Sequence, residues 1–211
     1  MSDLLQGVDA IIFDFGNVLI DLDYPRVIKR FSEVAKKNTD EIEEMVVTSP
    51  VLQQFERGML GPDEFRAEIN KLLGTKMGER QFESIWNSML KSISKHRMNK
   101  VLKIGERYKT YILSNTNVIH EIAYEEMIME ETGRASLRDF VDEVYYSHEI
   151  GLRKPNLNCY EHVIDDIDNY ASRMLFLDDR LDNVEAARKA GMKAVQIFDA
   201  DTQLNEIFGL G

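Results

Sequence analysis

Asp14 is the residue whose type and setting most clearly indicate chemistry. It follows the apolar residues Ile11-Ile12-Phe13, a run typical of a strand buried on both faces. Gly16 and Asn17 come next, and both residue types end strands and let backbone groups approach a ligand. Sites in open α/β sheets are built at the carboxyl ends of the strands. A strand that simply turns at an aspartate would look the same, so the other strand ends must decide.

A pair of adjacent carboxylates, Asp178 and Asp179, follows a second apolar run. Neighbouring carboxylates repel each other unless a cation or a proton lies between them. Mg²⁺ is a hard cation that prefers carboxylate and phosphate oxygens together with water. The sequence therefore predicts that Asp14 and Asp179, on neighbouring strand ends, share one metal ion. Asp179 or Asp182 could instead cap the following helix, and capping and metal binding are compatible.

Two further segments carry polar groups that suit an anionic ligand. Ser114-Asn115-Thr116-Asn117 ends a strand with hydroxyl and amide groups that can donate to a phosphoryl oxygen, although the same residues are common in turns. Lys154 precedes Pro155, which favours an extended conformation at the lysine and fixes its direction. Taken alone, that segment is also typical of an ordinary loop.

These residues require a scaffold of alternating strands and helices. Helical spacing of apolar residues predicts five consecutive helices soon after Asp14. They cover residues 24–37, 39–47, 50–57, 62–73 and 79–91. Strands at 110–113, 143–146, 174–177 and 194–196 then alternate with helices, which indicates parallel βαβ units. We expect a three-layer, Rossmann-like α/β core with a parallel sheet, formed by residues 1–20 and 94–211, and an inserted helical-bundle cap formed by residues 21–93.

The composition excludes several classes of protein. The 211 residues are 44% hydrophobic, which supports a well-filled core, and their net charge is −11. That charge argues against partners with phosphate backbones or anionic membrane surfaces, so we expect neither nucleic acid nor membrane as a partner. The N-terminus lacks the pattern of a signal peptide, and Cys159 is the sole cysteine. We therefore expect a cytoplasmic protein without a disulfide; the sequence gives no indication of oligomeric state.

Taken in their order along the chain, Asp14, Ser114, Lys154 and the pair Asp178-Asp179 resemble the haloacid dehalogenase superfamily, whose members are mostly magnesium-dependent phosphohydrolases. The resemblance covers nearly the whole chain, including a helical insertion at the position of that family's C1-type cap. Phe13-Asp14-Phe15-Gly16-Asn17-Val18 and Phe55-Glu56-Arg57-Gly58 look most like the branch of bacterial sugar-phosphate phosphatases of the α-D-glucose-1-phosphate phosphatase type. The resemblance implies a sugar-phosphate phosphatase that uses Mg²⁺.

The resemblance also implies roles for particular residues. Asp14 would be the nucleophile that becomes an aspartyl-phosphate, and Ser114 would hydrogen-bond a phosphoryl oxygen. Lys154 would neutralise both the Asp14 carboxylate and the incoming phosphate. Asn17 and Asn115 would help to bind the substrate. The implied metal ligands are Asp14, the backbone carbonyl of Gly16, Asp179 and Asp178, the last directly or through water.

Position 16 departs from the family pattern. Most phosphatases of the superfamily have a second aspartate two positions after the nucleophile, which acts as general acid and then as general base, but this chain has Gly16. General acid–base catalysis contributes about 10²- to 10⁴-fold, so a poor leaving group should be affected most. Asp21 or Asp23 could supply the missing carboxylate, or could be loop residues that cap the next helix.

We therefore expect a Mg²⁺-dependent phosphomonoester hydrolase whose partner is a small phosphorylated metabolite. Two alternatives remain: a metal-independent dehalogenase of the same fold, which would not need Asp178 and Asp179, and a catalytically weak phosphate-binding or regulatory protein, suggested by Gly16. The helical insertion should determine substrate choice. Candidate residues there are Tyr24, Arg57 and Trp86, and helical packing is the other interpretation of the same side chains.

Overall fold

Seven strands form two sheets in the computed structural model, which describes residues 4–210. The strands are β1 (Ala10–Phe13), β2 (Ile20–Leu22), β3 (Leu90–Ile93), β4 (Lys109–Ser114), β5 (Glu143–Tyr146), β6 (Met174–Asp178) and β7 (Lys193–Gln196). Five of them make a parallel sheet in the order β5-β4-β1-β6-β7, and β2 and β3 form a separate antiparallel pair. The first strand of the chain is thus the central strand of the main sheet.

Eleven α-helices connect these strands within the described residues. They are α1 (Tyr24–Ala35), α2 (Thr39–Val47), α3 (Pro50–Phe55), α4 (Pro62–Leu73), α5 (Glu79–Trp86), α6 (Lys95–Gly105), α7 (Val118–Thr132), α8 (Ser147–Ile150), α9 (Leu157–Ile167), α10 (Leu181–Lys189) and α11 (Ala200–Phe208). Among the described residues, none of these helices combines the length and the apolar character needed to span a membrane.

The main sheet is covered by helices on both faces because alternate residues of a strand point in opposite directions. Ile11 and Phe13 of β1 pack into a cluster with residues of α6, α7 and α11. Ala10 and Ile12 pack on the other side with residues of α9 and α10. These layers confirm the predicted three-layer α/β core with a parallel sheet.

The helices α1–α5, called the inserted helices below, lie between β2 and β3 and share a hydrophobic cluster that also includes Ile119 of α7. The antiparallel pair of β2 and β3 joins this segment to the core, with Ile20 opposite Ile93. The predicted helix 79–91 was wrong over its last residues, because α5 ends at Trp86 and the chain then enters β3. The division into a core and a cap at residues 20 and 93 stays a prediction.

One close approach of the inserted helices to the core lies at Gly58, which follows α3. Gly58 has φ of +67°, and a Cβ placed on it would lie 2.2 Å from the backbone carbonyl oxygen of His148 in α8. A side chain at this position would therefore both occupy a left-handed conformation and overlap main-chain atoms of the core. Glycine is what permits this contact.

Substitution of Gly58 tests whether that contact fixes the inserted helices on the core. We expect Gly58→Ala to lower the free energy of unfolding by more than Gly74→Ala does. Gly74 has φ of +71° and no atom within 4 Å of the position that a Cβ would occupy, so it reports the conformational cost alone, about 1–2 kcal/mol. The overlap at His148 should add about 1–3 kcal/mol. Equal effects in denaturant titrations would contradict the close approach.

Candidate active site

The central position of β1 brings three polar strand ends together. β1 pairs with β4 on one side and with β6 on the other, so that Phe13 lies opposite Ile112 and Leu177. Asp14 directly follows β1, while Ser114 and Asp178 end the two neighbouring strands. All three side chains are buried. The strands thus place a carboxylate, a hydroxyl group and a second carboxylate side by side at one edge of the sheet.

Lys154 joins the two carboxylates. Its Nζ donates to Oδ1 of Asp14 and to Oδ2 of Asp178, both at 2.7 Å, and its side chain is only 1% exposed. The loop that carries the lysine is tied to the end of β4, because the Asn115 side chain exchanges two hydrogen bonds of 2.9 Å with the backbone of Lys154. The Asn115 amide therefore positions the lysine, and its predicted contact with substrate stays a prediction.

The charges of this cluster depend on one another. Burial raises the pKa of Asp14 above its ordinary range, Lys154 opposes that rise, and Asp178 and Asp179 add to it. Burial alone would lower the pKa of Lys154, but Asp14 and Asp178 outweigh it and raise that pKa. The lysine therefore remains a cation at neutral pH. One positive charge among three carboxylates leaves a local excess of negative charge.

The three carboxylates have the composition and spacing of a metal site. One oxygen from each of Asp14, Asp178 and Asp179 can be chosen so that all lie within 4.8 Å of one another. Asp178 also accepts hydrogen bonds from the backbone N–H of Arg180 and from Asn183, so it is the most fully bonded of the three. Hard oxygen donors and uncompensated negative charge fit a divalent cation such as Mg²⁺.

Asn17 supports the same cluster from the turn after β1. It has φ of +54°, a conformation that asparagine tolerates better than most residues, and its amide Nδ2 donates to Oδ2 of Asp179 at 2.9 Å. Its Oδ1 accepts from the backbone N–H of Leu22 at 3.1 Å. The side chain thus orients Asp179 relative to β2, and a direct contact of Asn17 with substrate stays a prediction.

The space next to Gly16 is taken by a leucine. A Cβ placed on Gly16 would lie 2.9 Å from Cδ1 of Leu22 and 3.8 Å from Oδ2 of Asp14. The two nearby aspartates, Asp21 and Asp23, both make contacts with other groups of the protein. Asp21 accepts from Ser92 and pairs with Arg97, and Asp23 accepts from the backbone N–H at the start of α1. Those contacts agree with structural roles for both.

A cavity of about 70 Å³ lies beside Gly16 and Ser114, between the core and the inserted helices. Its lining from the inserted helices and the turn after them includes Tyr24, Glu56 and Trp86. The sequence named Tyr24 and Trp86 as candidates, whereas Arg57 does not line this cavity. Glu56 was not predicted to lie at the site, because its position depends on a contact with the core that no local sequence pattern encodes.

Glu56 reaches the core through Arg153, the neighbour of Lys154. Oε2 of Glu56 lies 2.8 Å from Nη2 of Arg153, and the two side chains are 15% and 23% exposed. The contact is a partly buried ion pair that anchors the Glu56 carboxylate to the core. Burial raises the pKa of Glu56, an effect that Arg153, Arg180 and Lys154 partly offset.

His120, another residue of the cavity wall, links α7 to the inserted helices. Its ring stacks on Trp86 with centroids 5.0 Å apart. One ring nitrogen contacts the Asn117 amide at 3.1 Å and the other contacts the backbone carbonyl of Trp86 at 3.3 Å. A carbonyl can only accept, so the proton is assigned to Nε2, and Nδ1 accepts from Asn117. Burial lowers the pKa of His120 to about 4, which makes the ring neutral at pH 7.

The chain matches the haloacid dehalogenase-like hydrolase family over residues 8–191. It is 27% identical to D-ribitol-5-phosphate phosphatase of Bacteroides thetaiotaomicron over 191 residues, which cover 90% of this chain and 91% of that protein. It is 30% identical to a sesquiterpene phosphatase of Aspergillus oryzae over 193 residues, which cover 90% of each chain.

A solved structure from B. thetaiotaomicron, a member of the same family in complex with magnesium and inorganic phosphate, superposes with a TM-score of 0.83. It is 28% identical in sequence, and the match covers 95% of this chain and 98% of that one. The protein therefore belongs to the haloacid dehalogenase-like hydrolases, and the predictions of this family and of an enzyme are confirmed. The individual roles of the site residues stay predictions.

The buried, neutral His120 should make stability sensitive to acid. Its pKa is about 4 in the folded protein against an ordinary 6.5, so the unfolded chain binds the proton more readily within that window. Stability should therefore fall as the pH drops from 6.5 towards 4, by up to about 3 kcal/mol from this group. Between pH 6.5 and 4, the unfolding free energy of His120→Gln should fall by up to about 3 kcal/mol less than that of the original protein. His162→Gln, at an exposed position, should follow the original protein; identical slopes for all three would contradict the assignment.

Proposed function

We propose that the protein is a Mg²⁺-dependent phosphomonoester hydrolase that acts on a small phosphorylated metabolite, of the sugar or sugar-alcohol phosphate class, by way of an aspartyl-phosphate on Asp14. The observation that carries the proposal is the buried cluster in which Lys154 contacts Asp14 and Asp178 at 2.7 Å, with Asp179 beside them. Both relatives described above are phosphatases, which supports the reaction, and one of them is a phosphatase of D-ribitol 5-phosphate, which supports the substrate class.

In this mechanism Asp14 attacks phosphorus through Oδ2, the oxygen that Lys154 does not contact. Lys154 reduces the repulsion between the carboxylate and the incoming phosphate, because a cation at hydrogen-bond distance offsets like charges that must come within bonding distance. The Ser114 hydroxyl group donates a hydrogen bond to a phosphoryl oxygen. Magnesium, held by Asp14, Asp179, the backbone carbonyl of Gly16 and the neighbouring Asp178, would neutralise charge on the phosphoryl group.

The two alternatives fit the site less well. A metal-independent dehalogenase has no need for Asp179 next to Asp14 and Asp178, because the third carboxylate only adds negative charge around the nucleophile. A purely regulatory phosphate-binding protein would account for Gly16, but it would not need a buried nucleophile paired with a lysine. Localisation in the cytoplasm remains part of the proposal.

Substrate size follows from the cavity. A volume of about 70 Å³ holds on the order of five water-sized groups, fewer than the heavy atoms of a sugar phosphate. A sugar phosphate would therefore extend beyond this cavity, and we propose that the inserted helices move away from the core to admit it and then close again. Tyr24, Glu56 and Trp86 are the side chains that would meet the part of the substrate beyond the phosphate.

Replacement of the nucleophile tests the reaction. With Mg²⁺ present, the purified protein should release phosphate from an aryl phosphate and from at least one sugar or sugar-alcohol phosphate, with ribitol 5-phosphate the first to examine. Asp14→Asn should reduce phosphate release to the background rate, because an amide does not form the acyl-phosphate. Activity that persists in Asp14→Asn, or in the original protein after complete chelation, would contradict the mechanism.

Thermal unfolding tests the metal site without relying on activity. At a Mg²⁺ concentration a hundred times its Kd, binding should raise Tm by roughly 5–10 °C. Asp179→Asn should greatly reduce this shift because it removes a charged ligand. Asp182→Asn is the matched control, since Asp182 lies close to Asp179 in the chain, in the first turn of α10, but pairs with Arg180. Equal shifts in both variants would contradict the ligand assignment.

A further inference from the structure

Hydrolysis of an alkyl phosphate needs a proton for the leaving oxygen, and the core does not supply one at position 16. Gly16 has no side chain, and Cδ1 of Leu22 occupies the adjoining space. The cavity beside Gly16 and Ser114 offers one set of candidate replacements. The titratable side chains there are Tyr24, Glu56, His120 and Tyr124.

Three of these four groups cannot both give and take a proton near neutral pH. His120 is neutral, and both ring nitrogens already contact protein groups. Burial raises the pKa of Tyr124. Desolvation of its hydroxyl group and the charges of Glu56 and Asp14 raise the pKa of Tyr24, although that residue as a whole is 53% exposed. Each phenol therefore keeps its proton. A phenol that cannot ionise can donate a hydrogen bond but cannot accept the proton of an attacking water.

Glu56 is the remaining group, and two contacts fix its position. Gly58, two residues later, packs against the His148 carbonyl, and Arg153 lies 2.8 Å from the Glu56 carboxylate. Arg153 is next to Lys154 in the chain, so the carboxylate is anchored to the same loop that carries the phosphate-binding lysine. Glu56 thus lines the cavity beside Ser114 while it is held from the core side.

The surroundings of Glu56 suit reversible protonation. The charged and titratable groups that act on it are Arg153 and Lys154 from one loop, Arg180 from the start of α10, and Tyr24 from α1. Burial raises its pKa, and the three cations oppose that rise. Glu56, Asp14 and Asp179 all raise the pKa of Tyr24, so each carboxylate lies within electrostatic range of that hydroxyl group.

We propose that Glu56 performs the proton transfers for which Gly16 has no side chain; the proposal rests on the phosphatase function above. In the first step the Asp14 oxygen bonds to phosphorus, the ester P–O bond breaks, and the leaving alkoxide oxygen takes the proton of Glu56. In the second step the Glu56 carboxylate takes a proton from water as the water oxygen bonds to phosphorus. The bond between phosphorus and Asp14 breaks, and phosphate, Asp14 carboxylate and protonated Glu56 result.

Leaving-group dependence tests this role. An aryl phosphate departs as a stabilised phenolate and needs little protonation, whereas an alkyl phosphate such as ribitol 5-phosphate needs a full proton transfer. We expect Glu56→Gln to lower kcat on the alkyl phosphate by about 10²- to 10⁴-fold and on the aryl phosphate by less than about 10-fold. Glu121→Gln is the matched control: Glu121 pairs with His148 at 2.9 Å but does not line the cavity, so both rates should stay near those of the original protein.

Arg153→Gln separates proton transfer from mere anchoring of the inserted helices. If Glu56 acts only through its ion pair, Glu56→Gln and Arg153→Gln should slow both substrates in parallel, and the proposal is overturned. If Glu56 transfers the proton, only Glu56→Gln should show the selective loss on the alkyl phosphate. It should also remove the decline in alkyl phosphate kcat/KM at high pH that loss of the Glu56 proton produces.

The controls distinguish failure of this proposal from failure of the phosphatase function. Absence of phosphate release from both substrates by the original protein, or release that survives Asp14→Asn, rejects the function itself. A working phosphatase whose Glu56→Gln variant keeps its full rate on the alkyl phosphate rejects only the role of Glu56. Thermal denaturation of each variant shows that it is folded at the assay temperature.

Discussion

The site depends on one electrostatic constraint: three carboxylates share a strand edge with a single buried ammonium group. Two like charges 4 Å apart repel by about 4 kcal/mol in a protein-like medium, so Asp14 and Asp178 require the cation that contacts both at 2.7 Å. Much of the local architecture maintains this arrangement. Asn115 holds the Lys154 backbone, Asn183 holds Asp178, and the central strand of the sheet carries Asp14 between them.

The parts of this arrangement that follow strand periodicity could be predicted from the sequence. Apolar runs before Asp14, Ser114 and Asp178 indicate buried parallel strands, and the carboxyl ends of neighbouring strands must converge. Pro155 indicates only an extended conformation at Lys154, and the role of the lysine was predicted from the resemblance to the family. The strands β2 (Ile-Asp-Leu) and β3 (Leu-Lys-Ser-Ile) were missed because neither contains the run of apolar residues that marks the strands of the main sheet. The predicted helix 79–91 also included the first half of β3.

The opposite wall of the cavity could not be predicted in the same way. Glu56 reaches the site because Gly58 permits backbone contact with His148 and because Arg153, far along the chain, pairs with the carboxylate. Such contacts depend on how the inserted helices dock, and no local spacing encodes that. Leu22 illustrates the same point, since its contact with the space beside Gly16 arises from a strand pairing that the sequence did not indicate.

The division of groups between core and inserted helices has a chemical consequence. The core holds Asp14, the proposed nucleophile, together with Lys154 and the carboxylates proposed to bind the metal, whereas Glu56 belongs to the turn after α3. With proton transfer assigned to Glu56, the constellation is complete only when α3 is docked against Arg153 and His148. A substrate that holds the inserted helices away from the core can then bind there through its phosphate group, but it is not turned over efficiently. Selection by substrate size and proton transfer thus depend on the same contact. Because position 16 is glycine, the core has no side chain there that could transfer the proton without that contact.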